Sequence, residues 1–349
     1  MSYPGVIEIA RKEFFDHVRS RKFLLIFGIF LMVAIIGLIG GISDYNDMLD
    51  IYNEDQTVTI GVGGVSADTS LAMPSVLLVF YNMTTPFYMI GVILAIAMGF
   101  DLISKERENK SLKILLAHPV YRDEVINGKA LGAIAALFLA FAVVLIISLA
   151  TLLVFSIVPN PTEILMIILF CGFSFLFIFS YFAVALCMSA ITEDSGRALI
   201  YTMVIYTIFS GLISIVLMTP AVSEIVVGPQ PEIPDILKDQ SIQSEAVAEE
   251  LEKYQQEITE YAERQMAFTQ TLSFFSPRGN YQKVAISLTN PTVSGFMYGQ
   301  AMGDAGDPGT GFDIPGLLSG LFVNIIALIL IPVIFFGIAY VKFMRIDVR

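Results

Sequence analysis

The sequence predicts an all-α polytopic membrane protein with six transmembrane helices. Hydrophobic residues make up 56% of the 349-residue chain, more than a soluble protein of this length normally carries. They form unbroken blocks of about twenty residues or more, the length that a helix needs to cross a bilayer core. A soluble helix would instead show an apolar stripe on one face. The interiors of the blocks contain almost no ionisable residues.

The apolar blocks divide the chain into five predicted parts. The predicted spans cover residues 23–42, 86–103, 131–158, 163–191, 198–219 and 314–341. The parts are an amphipathic helix at 1–22, the first five transmembrane helices at 23–219, an extracytoplasmic loop at 220–313, the sixth transmembrane helix at 314–341 and a tail at 342–349.

The distribution of Lys and Arg predicts the orientation of the chain. The N-terminal arm holds five basic residues, residues 41–85 hold none, and residues 101–129 hold six. Because the cytoplasmic flanks of transmembrane helices retain Lys and Arg, both termini are predicted to be cytoplasmic.

The N-terminal arm is predicted to be a helix on the inner leaflet. Its apolar residues recur on one helical face between residues 6 and 21, and basic residues flank that face. The residues assigned to this membrane-surface helix are Arg11, Lys12, Phe14 and Arg19.

The cytoplasmic segment 101–129 is too long for a simple connector between two spans, which needs only a few residues. It opens with dense mixed charge. Leu112, Leu115 and Leu116 then form one apolar face of a short helix, which Pro119 ends. A charged, two-faced segment of this kind indicates docking into a groove of another protein.

The external loop at 220–313 is strongly acidic, with five basic residues against 14 acidic ones. A helical segment is predicted at about 236–268, where apolar residues recur at spacings of four and three. These residues are Val247, Leu251, Tyr254, Ile258 and Tyr261. We expect this face to pack on its own loop or on a second copy, and the loop is also a candidate surface for an extracytoplasmic partner.

The signatures of catalysis and metal binding are missing from the sequence. Gly128 and Lys129 are followed by alanine and lack the preceding glycine of a phosphate-binding loop. The two histidines, His17 and His118, are far apart, whereas a metal site needs three or four ligands. The net charge of −12 is interpreted as solvated acidic loops, and no nucleic-acid partner is expected. Because the spans lack ionisable residues, any transport is expected to draw its energy from outside the membrane.

Several of these residues carry a family resemblance. Between the second and third predicted spans, the motif residues are Arg107, Glu108, Leu112, Leu115, Leu116, Pro119, Arg122, Gly128 and Lys129. In this arrangement the chain resembles the type-2 ATP-binding-cassette (ABC) permeases, most closely those of nitrous-oxide-reductase maturation and gliding motility. Residues 9–14 and 19–23 also look like the opening of that family. The resemblance covers most of the chain, although no single motif is diagnostic.

The resemblance implies a permease subunit of the plasma membrane without ATPase activity of its own. Two permeases, as a homodimer or an unlike pair, would bind two separate ATP-binding subunits, which would hold the ATP and Mg²⁺. No cofactor is expected on this chain. The segment 101–129 would contain the coupling helix, and residues 1–22 would form the connecting helix beside it. The loop at 220–313 is longer than in many family members, which leaves the substrate and the direction of transport open.

The resemblance also implies particular contact residues. The coupling residues would be Glu106, Arg107, Glu108, Lys110, Leu112, Leu115, Leu116, Pro119, Arg122 and Lys129. A second cytoplasmic contact would involve Glu193, Asp194 and Arg197.

Two other classes of function remain alternatives. A membrane-anchored sensor or scaffold would use the external loop, and deletion of residues 223–268 would abolish its signalling. An ion-coupled secondary transporter would show gradient-driven uptake in liposomes that contain only this chain.

Overall fold

A computed structural model describes residues 4–54, 57–62, 65–70, 74–110, 121–232, 234, 245–290, 293–294 and 314–346. The described part is a bundle of long apolar helices, and the predicted all-α polytopic class is confirmed. In this described part, five helical segments are long and apolar enough to cross a membrane: Arg21–Asn53, Leu77–Glu108, Arg122–Val154, Pro161–Ile191 and Phe322–Met344.

The first span extends well beyond its predicted end at residue 42. Helix α1 (Pro4–Arg19) is followed by α2 (Arg21–Glu54), whose 34 residues make it about 50 Å long. This length exceeds a bilayer core of about 30 Å. Three aspartates, Asp44, Asp47 and Asp50, lie in the last third of α2. A small antiparallel hairpin follows, formed by β1 (Thr57–Val62) and β2 (Val65–Ser70). The sequence-based prediction did not include this hairpin.

The second span begins nine residues earlier than its predicted start at Pro86. It is built from α3 (Leu77–Tyr81), α4 (Thr84–Pro86), a π-helix (Phe87–Gly91), α5 (Val92–Gly99) and α6 (Ser104–Glu108). Proline is favoured at helix starts, which explains the predicted boundary. Here the helix continues through Pro86, and the hydrogen bonding changes to the π pattern in the next turn.

The remaining spans follow with short connections. Helix α7 (Arg122–Val154) is joined by a tight turn to α8 (Pro161–Ile191). Glu163 accepts a hydrogen bond from the backbone N–H of Asn160 at 2.8 Å and so completes a capping box at the start of α8. Helix α9 (Ser195–Tyr206) continues without a break through a second π-helix (Thr207–Leu212) into α10 (Ile213–Met218). This continuous helix corresponds to the predicted fifth span.

The predicted external loop contains several helices. They are α11 (Pro220–Val227), α12 (Glu245–Phe274) and α13 (Pro277–Thr289). The chain then forms α14 (Ile314–Gly320) and the last span, α15 (Phe322–Met344). The predicted helical segment at 236–268 overlaps α12, and its residues 236–244 lie outside the described residues.

Helix α8 is the centre of the bundle and packs against α5, α9, α13 and α15. The short helix α13 belongs to this core, although its sequence lies in the predicted external loop. Tyr281 is fully buried, stacks on Phe177 with a centroid distance of 4.4 Å, and hydrogen-bonds with Ser174 at 2.9 Å. Asn324 on α15 donates to the side-chain oxygen of Asn280 at 2.7 Å. Helix α13 is therefore a re-entrant element that enters the bundle from the loop.

Candidate functional site

The candidate site is the end of the bundle where α1, α6, the start of α7 and the ends of α8 and α15 meet. We call it the basic end, because it carries the Lys- and Arg-rich segments. Helix α1 lies against α7 at very close range. A Cβ atom added to Gly132 would lie 2.5 Å from the carbonyl oxygen of Ala10 and 2.7 Å from Cβ of Glu13. Only glycine at this position permits such an approach.

A buried group of charges connects three elements at the basic end. The Lys129 ammonium on α7 lies 2.5 Å from a Glu13 carboxylate oxygen on α1 and 2.7 Å from a Glu106 oxygen on α6. The Lys129 side chain is 5% exposed and that of Glu13 is 11% exposed. A charge this deep is stable only when it is paired. The ion pairs therefore hold α1 and α6 on the start of α7.

His17 lies on α1, one helical turn after Glu13. Burial lowers the pKa of His17 below its ordinary value of 6.5. Glu13 and Asp101 raise this pKa, whereas Lys22 and Lys129 lower it, and the effect of burial is the largest. Its Nε2 atom is buried and has no hydrogen-bond partner among the described residues. His17 is therefore neutral where α1 packs on the bundle at pH 7.

The end of the second span is connected to the link between α8 and α9. Arg107 donates to the Thr192 carbonyl oxygen at 2.9 Å and to Glu193 at 3.1 Å. Thr192 is the C-cap of α8, where a cation also interacts favourably with the helix dipole. Glu108 accepts hydrogen bonds from the backbone N–H and the hydroxyl of Ser195. Arg107 and Glu108 thus connect α6 to the α8–α9 link.

A buried serine supports this connection from inside the bundle. The Ser189 hydroxyl accepts hydrogen bonds from the backbone N–H groups of Ile103 and Ser104, at 2.9 and 3.0 Å. These two N–H groups lie at the start of α6, where a helix has unpaired donors. Helix α6 is therefore positioned by α8.

Arg122 provides the corresponding contact for the last span. Its guanidinium donates to the carbonyl oxygens of Ile346 at 2.6 Å and Met344 at 3.3 Å. These carbonyl groups lie at the end of α15, where the last C=O groups of a helix lack intrahelical partners. The first turn of α7 therefore contacts both α1 and the C-terminal end of α15.

The structure places the predicted contact residues in four groups. The exposed ones are Arg11, Lys12, Arg19, Glu108, Lys110, Glu193 and Arg197. Those of intermediate burial are Phe14, Glu106, Arg107, Arg122 and Asp194. Lys129 is buried, so its ammonium faces the chain's own carboxylates. Leu112, Leu115, Leu116 and Pro119 lie outside the described residues.

Two of these residues have local roles that the sequence did not assign. Asp194 is the N-cap of α9 and accepts hydrogen bonds from the backbone N–H groups of Gly196 and Arg197. Phe14 is partly buried and packs against the core. The N-terminal arm, which was predicted to be a helix on the inner leaflet, therefore packs on α7 with part of its apolar face.

Sequence reasoning did not identify Glu13 and Ser189 as members of this site. A signal existed for Glu13, because it follows Ile9 by four residues and so places a carboxylate on a largely apolar face of α1. No comparable signal existed for Ser189, since small hydroxyl residues are common in transmembrane helices.

An apolar helical bundle with charged, interconnected segments at one end defines a multi-pass membrane protein. The chain matches the family model described as ABC-2 family transporter protein over residues 7–348. It therefore belongs to the ABC-2 transporter family, whose members are membrane subunits of ABC transporters. No curated protein matches the chain.

Proposed function

We propose that the chain is the permease subunit of an ATP-driven ABC transporter that serves export or extracytoplasmic maturation, coupled to a separate ATP-binding subunit. The observation that supports this proposal is the connectivity of the basic end. The segment 101–129 contains α6 and the start of α7, and both helices are fixed to other elements by charged contacts. A displacement of this segment would therefore move several helices together.

The contacts suggest how the motion passes into the membrane. Lys129 with Glu13 and Glu106 transmits it between α6, α7 and α1. Arg107 transmits it to α8 and α9, and Arg122 to α15. Hydrogen bonds to charged groups are stronger than neutral ones and are directional. The arginines are thus positioning residues in this mechanism, because they act through the helices that they contact.

The surface left for the ATP-binding subunit consists of exposed charges around these contacts. Arg11 and Lys12 lie on α1, Lys105 and Lys110 lie at α6, and Arg197 lies on α9. Lys110 has a positive φ of 59° directly before the undescribed part of the segment, so the helix ends there in a sharp turn. In this proposal the partner binds ATP and Mg²⁺, and this chain binds no cofactor.

The rest of the assembly follows from the exposed surfaces. Apolar side chains along α2, α7 and α15 are exposed on the isolated chain and would contact lipid or a second permease. The second permease is a copy of this chain or an unlike subunit. Helix α12 and the hairpin belong to the segments predicted to be extracytoplasmic and would be available to an extracytoplasmic partner. The bundle lies in the plasma membrane with both termini on the cytoplasmic side.

Replacement of Arg107 tests the coupling role. The chain is co-purified with its ATP-binding subunit, and permease-dependent ATP hydrolysis is measured for the wild type and for Arg107→Ala. We expect hydrolysis to fall several-fold while the complex still forms, because the substitution disconnects α6 from the α8–α9 link. Arg122→Ala should act in the same direction through α15.

The matched control is Arg264→Ala, which removes an exposed arginine from α12 far along the chain from the basic end. It should leave hydrolysis unchanged. If Arg107→Ala and Arg122→Ala both retain full complex formation and full stimulated hydrolysis, the coupling role is refuted.

A further inference from the structure

The re-entrant helix α13 brings an arginine into the bundle. Its N-cap, Ser276, accepts a hydrogen bond from the backbone N–H of Gly279 at 3.1 Å and donates to the carbonyl oxygen of Phe209 at 2.8 Å. Phe209 lies in the π-helix between α9 and α10. Arg278 is the second residue of α13. Its backbone is therefore held next to a π-helical turn of the fifth predicted span.

The Arg278 side chain contacts an aromatic ring and forms no ion pair with another described residue. Its guanidinium lies over the ring of Tyr88, 4.4 Å from the centroid. Tyr88 belongs to the other π-helix, at Phe87–Gly91. The Nε atom is buried and has no hydrogen-bond partner in the described part of the chain. The residue as a whole is of intermediate burial.

Further polar groups lie on the same side of α8. Tyr181 is close enough to Arg278 to interact with it electrostatically. The Tyr181 hydroxyl hydrogen-bonds with Ser210 at 2.5 Å, and its ring meets that of Tyr206 edge-on. Arginine, tyrosines and serine thus converge between the two π-helices. Helices with π turns often carry functional sites.

Distances along three helices, measured from the ends of the bundle, place this cluster and the neighbouring part of α13 at a similar depth. Along the second span, Tyr88 is about 20 Å from Asp101, which pairs with Lys22 at the basic end. Along the α9–α10 helix, Phe209 is about 20 Å from Ser195. Along α8, Ser174, which bonds to Tyr281, is about 20 Å from Pro161 at the other end. Arg278 therefore lies near the middle of the bundle.

An arginine at this depth needs water or a counter-charge next to its guanidinium. The guanidinium stays protonated in proteins, and a charged side chain near the bilayer centre is costly unless it faces water or a counter-charge. Its planar fork of donors matches the oxygens of a phosphate group. The Tyr88 ring offers aromatic surface next to that fork for an apolar group.

We propose that Arg278, with Tyr88, binds the phosphate-type headgroup of an amphipathic anion inside the bundle. As a substrate site, this assignment rests on the proposed transport function, but binding by the chain alone does not depend on an ATP-binding subunit. The ligand combines an anionic headgroup for the guanidinium with an apolar tail for the apolar surroundings of the bundle.

A tryptophan reporter tests the site directly. The chain contains no tryptophan, so Tyr88→Trp places a single indole under the guanidinium and keeps an aromatic face there. The full-length variant is reconstituted in phosphatidylcholine liposomes and titrated with decyl phosphate. We expect a saturable change in tryptophan fluorescence. Decanol, decyltrimethylammonium and inorganic phosphate should each give no saturable change at the same concentrations.

Substitutions of Arg278 in this background identify the residue responsible. Arg278→Gln should weaken decyl phosphate binding about tenfold or more, since a charge-assisted hydrogen bond is lost. Arg278→Lys keeps the positive charge but lacks the planar pair of N–H donors. This variant should bind decyl phosphate with intermediate affinity. Arg264→Gln, an exposed arginine on α12, is the matched control and should bind like the parent.

Several results would overturn the assignment. An equal response to decanol would show that the charge of the headgroup does not contribute to binding. An equal response to inorganic phosphate would show that the apolar tail does not contribute. Unchanged binding in Arg278→Gln would exclude this arginine. The ligand series on the parent needs no change at Arg278, so it decides the question even if Arg278→Gln fails to fold. A negative result here leaves the coupling test with Arg107 unaffected.

Discussion

Lys129 shows how much of the basic end depends on one side chain. It compensates two carboxylates from elements that are distant in the sequence, Glu13 and Glu106. Without it, two acidic groups would face each other in a largely buried space. Removing one partner of a buried ion pair costs about 3–5 kcal/mol, because the remaining charge is left unpaired.

Lys129→Met is therefore expected to destabilise the protein by about 3 kcal/mol or more. Thermal unfolding of the purified chain in detergent would show this as a lower melting temperature. Lys105→Met, an exposed lysine on α6, should have little effect. The further changes Glu13→Gln and Glu106→Gln should restore part of the loss in the Lys129→Met background. An unchanged melting temperature for Lys129→Met would contradict the buried pairing.

His17 should make the docking of α1 sensitive to pH. Its pKa in the folded protein is below 6.5, so the folded state binds fewer protons than the unfolded state near that pH. The stabilisation is complete above about pH 6.5 and is lost as the pH falls through 6.5 towards the lowered pKa. Glu13 and Asp101 raise the pKa of His17 and oppose the effect, whereas Lys22 and Lys129 lower this pKa and add to it.

The measurement compares wild type and His17→Gln by thermal unfolding between about pH 8 and pH 5. The wild type should lose more stability on acidification than the variant, because glutamine does not titrate. Carboxylates contribute equally to both proteins and cancel in the difference. Parallel curves would show that His17 is not buried in its neutral form.

At the scale of helices, the contact between α1 and α7 depends on glycine. Gly132→Ala would place Cβ 2.5 Å from a backbone oxygen of α1, so α1 must move away. Gly172 on α8 is also a helical glycine, and a Cβ there would meet nothing within 4 Å. Because alanine is the better helix former by about 1 kcal/mol, Gly172→Ala should be neutral or stabilising.

Gly132→Ala should lower stability, and α1 should become more sensitive to proteolysis. Thermal unfolding and limited proteolysis of the two variants would measure this contrast. If both substitutions shift the melting temperature in the same direction, the close packing of α1 on α7 is wrong.

The spans were predictable because each is a local property of the sequence. An apolar block of sufficient length predicts a transmembrane helix regardless of its neighbours. Helix α13 was not predictable in this way. Its 13 residues include Arg278, Asn280 and Lys283, which resemble a solvated loop helix. Its burial comes from partners such as Ser174, which lies 107 residues away in the sequence.

In the candidate site, too, local properties were predictable from the sequence, and contacts between distant residues were not. The charge density of segment 101–129 marked it as a contact region, and Arg107 and Arg122 do connect helices at the basic end. The inward pairing of Lys129 was not predictable, because its partner Glu13 is 116 residues away. One sequence does not show which of several charges at a membrane interface face one another.

For the whole molecule, the contacts at the start of α7 bear on the number of crossings. Glu13 near the N-terminus contacts Lys129, and Ile346 near the C-terminus contacts Arg122. Both ends of the described chain therefore lie on the same side of the bundle, which requires an even number of crossings. Within the described residues, five helices satisfy the length and hydropathy criteria. We infer that the continuous helix of α9 and α10 is the sixth crossing, and the predicted total of six stays a prediction.

The position of α13 has a consequence for the order in which the protein is inserted during synthesis. Helix α13 is about 20 Å long, which is too short to cross the bilayer by itself. Its polar side chains also oppose spontaneous insertion into the membrane. It is also translated before α15, whose Asn324 holds Asn280. Helix α13 can therefore reach its final position only after the last helix has left the ribosome. A nascent chain that ends before residue 314 would leave α13 without this contact, and completion of the C-terminal helix would close the central bundle.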